Sequence, residues 1–128
     1  MAKRDLYNNI GVIQSIAPAV QSASVNGSGV DLRPYNSATV IINSGAIVGS
    51  AVMVPKLQES DDNSTFADVA AGDLLGAFPA QLAAASAIKV GYKGTKRYVR
   101  PVLTLSSGTS IAADATIIGG HASLVPVA

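Results

Sequence analysis

VPKLQESDDNSTFADV (Val54 to Val69) and IKVGYKGTKRYVRPVLTL (Ile88 to Leu105) are the two stretches that decide the fold of this chain. Each reads as strand, polar turn, strand. In the first, an extended run breaks at Ser60-Asp61-Asp62-Asn63-Ser64 and restarts at Thr65-Phe66. Asp, Asn and Ser close tight turns with their own side chains, while β-branched and aromatic residues favour extended chain on either side. In the second, Lys93-Gly94-Thr95-Lys96 separates two apolar-rich segments. Gly94 there can take the positive φ that hairpin turns commonly require. Two hairpins of this kind predict an antiparallel β domain.

Working outward, the pattern stays β-like. Residues 1–9 are polar and read as a loosely held, flexible arm. Ile10 to Val20 is apolar, but Gly11 and Pro18 speak against a helix. Asn26-Gly27-Ser28-Gly29 is a turn, and Val30 to Arg33 alternates until Pro34 stops it. Thr39-Val40-Ile41-Ile42 is the strongest β-branched run and predicts a buried strand. Ser44-Gly45-Ala46 and Gly49-Ser50 punctuate the chain after that run, and the next strand spans Ala51 to Gln58. Pro55 inside it points to an edge position or a bulge. Ala70 to Ala87 is broken by Gly72, Gly76 and Pro79 and reads as a long connection, with at most one helical turn near Gln81 to Ala85. In the return strand of the second hairpin, Val99, Pro101, Leu103 and Leu105 share one face, and Tyr98, Arg100, Val102 and Thr104 the other. Ser106 to Thr109 turns the chain into a last strand, Ser110 to Ile118, and residues 119–128 form an apolar tail. That makes roughly seven or eight short strands, at the spacing of sandwiches and barrels.

At 128 residues the chain reads as one domain able to bury a real core. Hydrophobic residues make up 48% and charged residues only 13%, about half the usual quarter. A surface so poor in charge suggests cover by another subunit. The net charge of +1 sets up no global field for nucleic acid or an anionic membrane. With no cysteine there is no disulfide framework and no thiolate metal site. No run approaches the ~18 apolar residues of a membrane span, and no apolar run follows the basic N-terminus as in a signal peptide. The expectation is a soluble protein or part of a soluble assembly.

Candidate chemistry is thin. His121 is the only histidine; as a catalytic base it would need Ser123, Ser110 or Asp114 beside it, and no nucleophile-elbow pattern surrounds it. Glu59, Asp61, Asp62 and Asn63 fail calcium-loop spacing and are better explained as a solvated turn. Nothing selects a carboxylate pair from Glu59, Asp68 and Asp73 for glycoside hydrolysis. Gly27-Ser28-Gly29 lacks the Lys and the helix start of a phosphate loop. Lys89, Lys93, Lys96, Arg97 and Arg100, interleaved with Tyr92 and Tyr98, have the composition of a nucleic-acid face. Strand alternation, however, puts Arg97 opposite to Lys96 and Arg100. The acidic stretch Glu59 to Asp73 offers a counterpart, as in neighbour-to-neighbour pairing within an oligomer. The expected interface residues are therefore Lys3, Arg4, Asp61, Asp62, Lys93, Lys96, Arg97 and Arg100. No catalytic, cofactor-binding or metal-binding residue is expected.

The pattern DLRPYNSATVIINSGAI, then VPKLQESDDNSTFADVAAGDLLGAFP, then VGYKGTKRYVRPVLTLSSGTS, resembles small virion structural proteins of tailed bacteriophages, several of which are capsid decoration (cement) proteins. The likeness spans about residues 5–120, and its motifs are structural rather than catalytic. LQESDDNSTF and RYVR also resemble jelly-roll modules, including carbohydrate-binding and discoidin-like domains. The resemblance implies an all-β, antiparallel, jelly-roll-like β-sandwich. It also implies a non-enzymatic protein, made in the host cytoplasm and placed on the capsid surface of the virion. Its partners would be the major capsid protein and copies of itself, for instance in a trimer, with no direct nucleic-acid or membrane contact. Two other roles share these features: a head–tail connector or tail component, and a module binding carbohydrate or a host surface.

Overall fold

The structure, a computed structural model, describes residues 7–33 and 35–120. The arm's first six residues, Lys3 and Arg4 among them, and the tail from His121 onward lie outside the described residues. Ten strands are formed: β1 (Ile10–Gln21), β2 (Val25–Asn26), β3 (Val30–Asp31), β4 (Ser37–Val48), β5 (Val52–Ser60), β6 (Ala67–Asp68), β7 (Leu74–Leu75), β8 (Ser86–Tyr92), β9 (Tyr98–Ser107) and β10 (Ser110–Gly120). Four of them are only two residues long, which leaves six longer strands against the seven or eight expected from sequence. No helix among the described residues is long and apolar enough to cross a membrane.

All strand pairs are antiparallel and fall into two sheets. The first runs β1-β10-β4-β8-β7, and the second β2-β9-β5-β6, with β3 also paired to β9. Counting β2 and β3 as one interrupted edge strand and setting aside the short β7, the eight strands order as 1-8-3-6 and 2-7-4-5. That is the jelly-roll sandwich.

Alternation along the strands decides what is buried. On β4, Ala38, Val40 and Ile42 point inward; on β10 it is Ile111, Ala113, Ala115 and Ile117. From the second sheet, Met53, Leu57, Val99 and Leu103 meet them in one continuous core. As expected, Val99, Pro101 and Leu103 share the inner face of β9. Pro101 lies opposite the break between β2 and β3, where its carbonyl accepts the Gly27 N–H at 2.7 Å. Pro55 sits on a part of β5 that β6 does not reach, the free edge that a residue without an N–H favours.

Two sequence readings need correction. The stretch at Lys93-Gly94-Thr95-Lys96 is not a hairpin. β8 belongs to the first sheet and β9 to the second, so this turn arches across the open end of the sandwich. Gly94 keeps an ordinary φ and instead makes room for the Tyr92 ring. The turns at Gly49-Ser50 and Gly108-Thr109 also change sheets. Side by side, they require glycine at 108, where φ is +83 and a Cβ would run into the backbone of Ala51. The Ala70–Ala87 connection holds a single 3-10 turn, at Ala71–Asp73 rather than near Gln81. Leu82 does something else. Its side chain is 1% exposed and its N–H donates to Met53 O at 2.9 Å, so the loop plugs the core and occupies the free edge of β5.

Candidate functional site

The outer faces of the two sheets differ in kind. On the second sheet, outward residues of β5, β6 and β9 form a network of charged and polar groups. Lys56 Nζ lies 3.2 Å from Asp68 Oδ1, and Gln58 Nε2 donates to the same oxygen at 2.9 Å. The Gln58 contact first, then Lys56, holds the Asp68 carboxyl below its ordinary range. Arg100 Nε donates to Gln58 Oε1 at 2.9 Å, and its guanidinium sits 4.1 Å from the Phe66 ring centre. On the first sheet, the outward rows run across the strands by register: Val12, Ile118, Thr39, Gly91 and Leu75, then Gln14, Thr116, Ile41 and Lys89. Val12 is 64% exposed and Leu75 57%. Lys89 and Asp114 are the charged groups of this face among the described residues.

At the open end of the sandwich, the β3–β4 and β8–β9 connections enclose a groove of about 600 Å³. Tyr92, buried on β8, closes its floor. Its hydroxyl donates to Glu59 Oε1 at 2.7 Å and accepts the Lys96 N–H at 3.1 Å. Burial first, and then Glu59, pushes the Tyr92 phenol well above its ordinary value. Tyr35, which also lines the groove, lies flat on Gly11 and Gly119, a directly paired couple on β1 and β10. A side chain on either glycine would occupy the space of that ring.

The expected interface residues separate into distinct situations. Lys96 Nζ is 2.8 Å from Asp61 Oδ2, and Arg97 forks onto Asp31, with Nε to Oδ1 at 3.0 Å and Nη2 to Oδ2 at 2.8 Å. The Arg97 hydrogen bond, foremost, holds the Asp31 carboxyl at about 2, against an ordinary 3.8. Asp62 serves its own turn: its Oδ1 accepts the N–H groups of Ser64 and Thr65 at 2.9 Å each and the Ser60 hydroxyl at 2.9 Å. Arg100 is engaged with Gln58 and Phe66. Lys93 is exposed on the groove rim and makes no ion pair among the described residues. The basic cluster is thus spread over three surfaces: Lys89 on the outside of the first sheet, Arg100 on the outside of the second, and Lys93, Lys96 and Arg97 at the open end.

The catalytic candidates do not converge among the described residues. Ser110 and Asp114 are four residues apart on one strand, about 13 Å along it. His121 and Ser123 lie outside the described residues. Glu59 and Asp68 are tied to separate partners, and among the described residues no three His, Asp or Glu side chains gather where a metal could sit. The sequence reading overlooked Arg33 and Tyr35 as groove residues. The available signal was glycine inside strands: Gly11 and Gly119 mark a close approach, which Tyr35 makes.

No protein-family model matches the sequence, and no curated protein does. Among solved structures, the chain is similar to the SPBc2 prophage-derived protein YomS, with a TM-score of 0.55, 11% identity, and coverage of 87% of this chain and 92% of that one. A weaker likeness is to the structure of infectious bursal disease virus Gx strain, with a TM-score of 0.45 and 9% identity, covering 85% of this chain and 31% of that one. At 11% identity, what this chain shares with YomS is the fold, a two-sheet antiparallel sandwich over nearly the full length of both.

Proposed function

We propose that this chain is a structural protein of a tailed-phage virion that sits on the capsid surface, binds the major capsid protein and stabilises the shell without catalysis. The observation that carries this reading is the contrast between the two outer faces. The second sheet satisfies its charges within the chain. The first sheet presents a broad row of Val, Ile, Leu and Thr with one Lys and one Asp. A face of that composition gains about 25 cal/mol for each Å² of apolar area it covers against a neighbour. Repeated over many copies, modest contacts of this kind reinforce a shell. The jelly-roll fold and the likeness to a prophage-derived protein agree with this role. Self-association into a small homo-oligomer such as a trimer would place several such faces on the shell at once. The test is the composition of purified particles of the phage that encodes the chain. A fixed ratio to the major capsid protein supports decoration, a few copies per particle indicate a connector or tail component, and absence from particles refutes a virion role.

A further inference from the structure

The groove at the open end has the size of a small-ligand site, for which roughly 300–1,000 Å³ is usual. Its wall chemistry is specific. Leu32 and Tyr92 form a buried floor, and Leu75 adds an exposed apolar rim. Tyr35, half-buried, packs its ring onto Gly11 and Gly119 and lines the groove. Four cations line the groove, and no carboxylate does among the described residues. Two of the four are already neutralised, Arg97 by Asp31 and Lys96 by Asp61. The other two, Arg33 and Lys93, are exposed and make no ion pair among the described residues. The Arg33 backbone is itself held in place, its N–H donating to Asp31 Oδ1 at 2.9 Å. One carboxylate thus anchors both the Arg97 guanidinium and the backbone that carries Arg33.

We propose that this groove binds an acidic sugar, a pyranose bearing a carboxylate. The apolar C–H face of the ring stacks on Tyr35. The carboxylate meets the Arg33 guanidinium, whose planar fork matches it two-to-two, with Lys93 adding a point charge. A simple anion would use the cations and leave the aromatic floor empty. A neutral sugar would use the floor and leave the cations unsatisfied. Only a ligand with both parts uses the whole groove. The site is at the open end of the sandwich and shares Leu75, at its rim, with the outer face assigned to the shell; its test is ligand binding by the isolated chain, whose outcome does not depend on that assignment.

The experiment titrates glucuronate, N-acetylneuraminate, glucose and acetate into the isotopically labelled chain and follows backbone amide shifts. Either acidic sugar should bind with a dissociation constant on the order of 1 mM, at least about tenfold tighter than glucose or acetate. The shifts should concentrate on the Asp31–Ala38 and Tyr92–Arg97 segments. Which acidic sugar binds tighter identifies the source of the carboxylate. An Arg33→Gln/Lys93→Gln double variant breaks no ion pair among the described residues, so it should melt with the wild type and lose about tenfold or more in affinity. If that variant melts early, Arg33→Lys keeps the charge, loses the fork and should weaken binding several-fold. The proposal is overturned if acetate or glucose binds as tightly as both acidic sugars, if neither acidic sugar binds, or if the variants bind like the wild type.

Discussion

Tyr35 and its two glycines show how a single contact shapes one end of the molecule. Gly11 and Gly119 face each other across β1 and β10, and the Tyr35 ring fills the space where their side chains would stand. Gly119→Ala should therefore push the ring away and destabilise the fold by about 1–3 kcal/mol, the usual penalty of overpacking. Denaturant midpoints would show it, and the same substitution in a Tyr35→Ala background should lose most of its effect. The Asp31–Arg97 pair makes a different prediction. The Asp31 carboxyl is depressed in the folded state, to about 2 from 3.8. Its contribution is therefore complete above the unfolded value and disappears as pH falls towards 2. The melting-temperature gap between wild type and Arg97→Met should be widest above about pH 5 and close as the solution is acidified to about pH 2. The side chains are 35% and 39% exposed, so solvent screening keeps the gap small throughout.

Elements were legible in the sequence to different degrees. The Ser60–Ser64 turn was plain, because its closure is local. Ser60, only 3% exposed, accepts the N–H groups of Asp62 and Asn63 at 3.1 and 3.0 Å, and Asn63 adopts φ +58. Ser60→Ala leaves these donors unpaired and should lower stability by about 1–3 kcal/mol, read from the urea midpoint at constant slope. The turn at Lys93 to Lys96 reads as a hairpin because an arch between sheets and a hairpin within one use the same residues. What separates them is the partner strand, β4 for β8 and β5 for β9, and those pairings lie far away in sequence. The same limit applies to Leu82. Helix-forming alanines surround it, yet its burial against the core and its bond to Met53 override that propensity. The inner face of β9 needed only the two-residue period and was readable in full. The groove was readable only in part: Lys93, Lys96 and Arg97 are singled out by the sequence, but nothing local brings Arg33 and Tyr35 to the same end, which happens only once the sandwich closes.

Across the whole molecule, the scarcity of charge in the sequence has acquired a location. The second sheet carries most of the charged network on its outside, and the first presents an apolar row that includes Val12 and Leu75. The proposed packing role gives this imbalance a use. Substituting Val12→Lys and Leu75→Lys places charges on positions 64% and 57% exposed, which should shift folding stability by no more than about 0.5 kcal/mol. The effect on packing should be large. The decisive experiment quantifies the chain against the major capsid protein in purified particles, for the wild type and for this double variant. A fixed ratio for the wild type, lost in a variant that remains folded, is the predicted result. Particles lacking the wild-type chain, or carrying the variant at an unchanged ratio, would contradict the assignment of the first sheet's outer face to the shell.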